Sequence, residues 1–201
     1  MAAWAVVAAF CLATATFSTG IVWLILATAA GGKALAFSPW RYVHFMYSTQ
    51  VSQHVNGPRP AVYRALLDAD AIAKWRVPVG MSSHVHEFDA REGGSFRVSL
   101  TYDSPDRTGK STPHTDTYHG HFLKLVPNEQ VVEVFEFDAA DTALRGTMTM
   151  TTTLTDADGG TDVLVVHEGI PDGVPAADNE AGTRMALANL AQLVEGAPPR
   201  R

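Results

Sequence analysis

The sequence predicts an α+β domain: a long, curved antiparallel sheet with helices on one face, the last helix lying across the concave side. Three observations predict it. Six strand-like segments follow one another from Met81 to Glu168, several of them joined by hairpin-length turns. A seventh precedes them, set apart by two short helical stretches. After Gly169 the apolar period changes from two residues to three and four, and keeps that spacing to about Glu195.

Taken in order, Ser48 to Val55 has period-two character and ends at Asn56-Gly57-Pro58, which reads as a first, edge-like strand. Pro60 suits the first turn of a helix with an apolar stripe of Val62, Ala65 and Leu66, running up to Asp68. Asp70 is the expected cap of a second helix, Ala71 to Trp75, which Pro78 ends. The strand Met81 to Phe88 then turns at Glu92-Gly93-Gly94 into Ser95 to Tyr102. There Phe96, Val98, Leu100 and Tyr102 alternate against Arg97, Ser99 and Thr101.

A polar stretch, Asp103 to Pro113, leads into the strand Thr115 to Leu125. Pro127-Asn128 turns the chain into Gln130 to Phe137, where Val131, Glu133, Phe135 and Phe137 share a face. Beyond a loop around Asp141, Thr147 to Leu154 sets alternate threonines against Met148 and Met150. A turn at Asp156 to Gly160 returns it as Thr161 to Glu168. Gly169 to Pro175 is a loop, and Asp178 is the expected N-cap of the terminal helix. Its stripe is Met185, Leu187, Leu190, Leu193 and Val194, and Gly196 with Pro198-Pro199 stops it. A curved sheet gripping such a helix leaves a gap between them, where a ligand would sit.

Composition divides the chain into residues 1–46, a domain at 47–196 and a tail at 197–201. Ala2 to Gly32 carries no charged residue and is long enough to cross a bilayer. As a membrane segment it would be followed by Lys33 and Arg41, an arrangement that keeps the domain in the cytoplasm, tethered to the inner face of the membrane. The competing reading makes it an over-extended start, with Met46 as the true first residue. A cleaved signal peptide fits less well, because no positive n-region precedes the apolar run. All 21 acidic and 13 of the 15 basic residues lie after Met46, a net charge of −8 for the remainder against −6 for the chain. That sign argues against nucleic acid as a partner. The one cysteine, Cys11, lies in the apolar run, so the domain has no disulfide and no thiol chemistry.

Several motifs stand out together. They are Val62-Tyr63-Arg64-Ala65-Leu66-Leu67-Asp68 through Trp75, His86-Glu87-Phe88-Asp89, Arg91-Glu92-Gly93-Gly94-Ser95-Phe96-Arg97 and Tyr118-His119-Gly120. Leu125-Val126-Pro127, Gly159-Gly160-Thr161, His167-Glu168-Gly169-Ile170-Pro171 and Asn189-Leu190-Ala191 continue the series. In this order, over roughly Gln53 to Glu195, the chain resembles the START-like (SRPBCC) superfamily, and within it the branch of the activator of heat-shock protein 90 ATPase. The resemblance implies a helix-grip fold of the Bet v-like kind. It also implies a ligand among lipids, polyketides, hormones or other hydrophobic molecules, while some superfamily members are cyclases or hydrolases.

The residues themselves nominate an apolar lining: Trp75, Phe96, Val98, Leu100, Tyr102, Tyr118, Phe122, Phe135, Phe137, Met148, Met150 and Met185, with Glu133 and His167 as its polar members. Such a set is also what a plain core looks like. Trp75 is expected to plug one end of the gap. Glu133, facing inward, would have a raised pKa or a partner such as Arg97 or Arg145, unless it lies at a wet end of the groove. His84/His86 and His119/His121 would make a four-nitrogen metal site if their strands were neighbours, although ordinary strand histidines have the same spacing. His167-Glu168 has the types for acid–base work, but no nucleophile or oxyanion signature accompanies it. Phosphate loop, dinucleotide fingerprint and serine elbow are absent, so the sequence calls for no cofactor, no metal and no catalytic residue. The expected partner is a hydrophobic small molecule. The alternatives are a co-chaperone-like module with a protein partner and, more weakly, an enzyme using the gap.

Overall fold

The computed structural model describes residues 47–196; the expectations placed on residues 1–46 and on the tail 197–201 lie outside the described residues. The elements are β1 (Tyr47–Val55), α1 (Arg59–Leu66), α2 (Ala69–Trp75), β2 (Met81–Phe88), β3 (Ser95–Tyr102), β4 (Thr115–Val126) and β5 (Gln130–Phe137). A single 3-10 turn at Thr142–Leu144 follows, then β6 (Met148–Ala157), β7 (Gly160–Ile170) and α3 (Ala176–Val194). The seven strands form one antiparallel sheet in the order β1-β7-β6-β5-β4-β3-β2. Strands β2 to β7 are thus a meander, and β1 is added beside the last of them. With α3 held against the sheet, this is the helix-grip α+β architecture.

Two expected caps are corrected. Asp68, not Asp70, caps α2, its side chain accepting from the Ala71 amide at 2.7 Å, while Asp70 sits in the first turn. At α3 the N-cap is Pro175, which makes no side-chain bond, and Asp178 lies in the first turn. Both acids still complement the positive end of their helix. The 3-10 turn falls in what the sequence presents as loop, and Asp141 caps it through the Ala143 amide.

Gly93 takes a φ of +76°, the left-handed region a glycine turn provides. Gly120 matters for space instead. A Cβ there would lie 2.1 Å from the Val134 carbonyl oxygen and 2.6 Å from the Phe135 Cβ, so the neighbouring strand β5, rather than the helix, makes the close approach.

The concave side is not filled evenly. Towards one end of the sheet, Val62 and Leu66 of α1 and Ile72 of α2 pack with Phe96, Phe122, Leu154, Val163 and Leu190 into the main core. Trp75 closes this packing, its indole N–H donating to the Ala65 carbonyl at 2.9 Å. A smaller cluster of Met148, Ile170 and Val174 forms elsewhere, with Phe135, Phe137 and Leu144 against it. Among the described residues no helix is long and apolar enough to cross a membrane.

Candidate functional site

A cavity of about 980 Å³ is bordered by members of both clusters. Its walls come from the ends of β3 to β7 that α1 and α2 leave uncovered, from the β3–β4 connection and from the first half of α3. Trp75, Leu100, Tyr102, Tyr118, Phe135, Phe137, Met148, Met150, His167 and Met185 all border it. Met185 is partly exposed at its rim, as is the largely exposed Val79. Phe96, Val98, Phe122 and Glu133 do not border it. They share the concave face, as alternation dictates. Phe96, Val98 and Phe122, however, belong to the main core that α1 and α2 build, and Glu133 is consumed by an ion pair.

Strand register carries the polar members into one row. Phe122 on β4 is opposite Glu133 on β5, Glu133 opposite Met150 on β6, Met150 opposite His167 on β7, and His167 opposite Thr49 on β1. Glu133 is only 1% exposed and receives both terminal nitrogens of Arg76, at 2.9 and 2.8 Å. Arg76 follows α2 directly and also lies 5.0 Å over the Trp75 ring. The expected partners do other things: Arg97 pairs with Asp138, and Arg145 donates to the backbone carbonyls of Ala139 and Ala140. Burial pulls the Arg76 guanidinium down, but the Glu133 carboxylate outweighs it and holds the group above its ordinary range.

Tyr118 and His167 are each 6% exposed; the His167 Nδ1 has no hydrogen-bond partner, and the Tyr118 hydroxyl makes no hydrogen bond of ordinary geometry, its oxygen facing the Arg76 guanidinium. Burial pushes the Tyr118 phenol up, against the opposing pull of Arg76. Burial, then the charge of Arg76, pushes the His167 imidazole down to about 4. Both side chains are therefore uncharged at neutral pH. An edge-on contact of Phe135 with His167 (6.4 Å) and a tilted one with Tyr118 (5.8 Å) join the pair through one ring.

Polar residues that sequence reasoning missed complete the border. Lys110 places its ammonium on Asp116 and 5.1 Å from the Phe137 ring centre, and its amide donates to Asp116 at 2.6 Å. Period two from Tyr118 already puts Asp116 on the inner face; nothing local marks Lys110 as its partner, or Arg76 as the partner of Glu133. Asn179 of α3 accepts from the Thr49 hydroxyl at 2.6 Å. Arg107, Asp141 and Asp178 are the exposed charges at the margin.

The histidine pairs do not converge. β3 lies between β2 and β4, so His84/His86 and His119/His121 are not on adjacent strands. His86 bonds Ser99 at 2.8 Å, and His119 meets Asp138 at 2.7 Å. No group of three or more histidine, cysteine or acidic side chains among the described residues is placed to hold a metal ion. Glu168, beside His167, is exposed.

A crystallographically determined protein of Chromobacterium violaceum is 34% identical to this chain, covering 74% of it and 96% of its own length, with a TM-score of 0.66. Proteins of Rhodobacter sphaeroides and Arthrobacter aurescens share the fold at 17% and 12% identity, each with a TM-score of 0.62. They cover 74% and 76% of this chain and 92% and 88% of their own. No curated protein matches it. Residues 56–195 match the family described as Activator of Hsp90 ATPase homolog 1-like protein, and the chain belongs to that family.

Proposed function

We propose that the domain binds a small, predominantly apolar molecule in the cavity between the sheet and α3. The fold is that of ligand-binding domains generally, and the observation that supports this reading is the cavity itself. At about 980 Å³ it lies at the upper end of the range for small-molecule sites, and Phe135, Phe137, Met148, Met150 and Leu187 give it an apolar wall. Methionines adapt such a wall to an irregular guest.

Titration with the neutral apolar dye Nile red tests the reading. Saturable binding of one dye per chain is expected, and Ala186→Trp on the α3 wall should abolish it while the protein stays folded. A dye that does not saturate, or binds the variant as well, sinks the proposal. A ligand held at 100 times its dissociation constant should also stabilise the fold by about 2.7 kcal/mol.

A further inference from the structure

The walls of the cavity say more about the guest than that it is apolar. Every charge on the inner wall is already answered. Arg76 is spent on Glu133 in a two-point pair, and Lys110 is spent on Asp116. What remains at the margin is Arg107 against Asp141 and Asp178, so the entrance offers a carboxylate no net attraction. An anion moved into this space would lose its hydration and find no free counter-charge, a cost larger than one hydrogen bond returns.

Two uncharged polar groups on the same wall are, by contrast, unanswered. The His167 Nδ1 is buried without a hydrogen-bond partner, and the Tyr118 hydroxyl, whose oxygen faces the donating Arg76 guanidinium, has no acceptor for its proton; both side chains are nine-tenths or more buried. A buried polar group left unpaired forfeits its hydration with nothing in return, and natural interiors carry few of them. They lie on either side of Phe135, among the rings that would hold an apolar body.

We propose, building on the ligand-binding reading above, that the guest is uncharged and carries an oxygen function, a carbonyl, ester or hydroxyl, that accepts from the Tyr118 hydroxyl beside His167, and that the site rejects the carboxylate of the same skeleton. Tyr118 donates because its phenol keeps its proton, and the neutral His167 imidazole can donate or accept according to its tautomer. Arg76 borders the cavity with its charge already answered by Glu133 behind it, so the pair sets the local field without presenting a free charge.

Three naphthalenes of matched size separate the possibilities: 2-acetylnaphthalene, 2-ethylnaphthalene and 2-naphthoate, each titrated calorimetrically into the full chain at pH 7.5. The ketone should bind about tenfold tighter than the carboxylate and several-fold tighter than the hydrocarbon, the scale of one buried hydrogen bond. Its carbonyl stretch should shift to lower wavenumber when bound. Tyr118→Phe should bring the ketone down to the hydrocarbon's affinity, leave the hydrocarbon unchanged and remove the shift. Equal or tighter binding of 2-naphthoate overturns the proposal, as does a ketone preference that survives Tyr118→Phe. If that variant does not fold, the ketone-to-carboxylate ratio and the infrared shift in the unaltered protein decide alone. Binding of the hydrocarbon and ketone with equal strength overturns only this inference; binding of none of the three overturns the cavity reading with it.

Discussion

Arg76 and Glu133, 57 residues apart in the chain, meet through two parallel hydrogen bonds at the cavity wall, where Arg76 borders the space and Glu133 is almost wholly buried behind it. The pair fastens the end of α2 to the middle of β5. Breaking it from one side leaves a buried charge alone, so Glu133→Gln should cost about 3–5 kcal/mol in urea unfolding. Replacing both, as Arg76→Met with Glu133→Leu, should recover most of that loss. A double variant no more stable than the single one would show that the pair is needed as a pair.

His167 gives the fold an acid sensitivity with a defined window. Its folded pKa of about 4 lies below the ordinary 6.5, so between those values the unfolded chain takes up the proton and the folded one does not. Stability is therefore full above pH 6.5, falls as the pH drops towards 4, and loses nothing further to this group below that. The total is on the order of 3 kcal/mol. His167→Gln should flatten this part of the stability–pH curve; an unchanged slope would assign it to other groups.

Gly120→Ala should destabilise the domain by about 1–3 kcal/mol, because the new methyl meets β5 backbone that has no room to move. Thermal unfolding measures it directly.

Gly182 makes the opposite case on α3. It borders the cavity, and a Cβ there meets nothing within 4 Å. Gly182→Ala should stabilise the helix by about 0.5–1 kcal/mol without steric cost. A destabilised variant would show that the helix must flex at this position.

The meander and the terminal helix were legible because alternation and turn residues report on each strand separately. Phe96, Val98, Leu100 and Tyr102 do share a face, as their spacing requires. Spacing does not say which half of that face is covered. Phe96 and Val98 became core and Leu100 and Tyr102 became cavity wall because α1 and α2 come down over one end only. The partner of Glu133 was illegible for a related reason: Arg76 sits just past a helix, where no periodicity fixes the direction of a side chain. The histidine pairs show the same limit, since their spacing is local and the strand between them is a matter of topology.

The pairing of β1 with β7 has a consequence for how the chain is made. Tyr47 lies opposite Ile170 and Val55 opposite Thr161, whereas each of β2 to β6 pairs with the next strand to follow it. During synthesis the meander can grow hairpin by hairpin as it leaves the ribosome, but the first strand has to wait, unpaired, until more than 100 later residues have emerged. Closure of the sheet and seating of α3, which bonds to β1 through Thr49 and Asn179, then come only after the whole meander has been made. The nascent chain is most exposed to wrong strand partners in that interval.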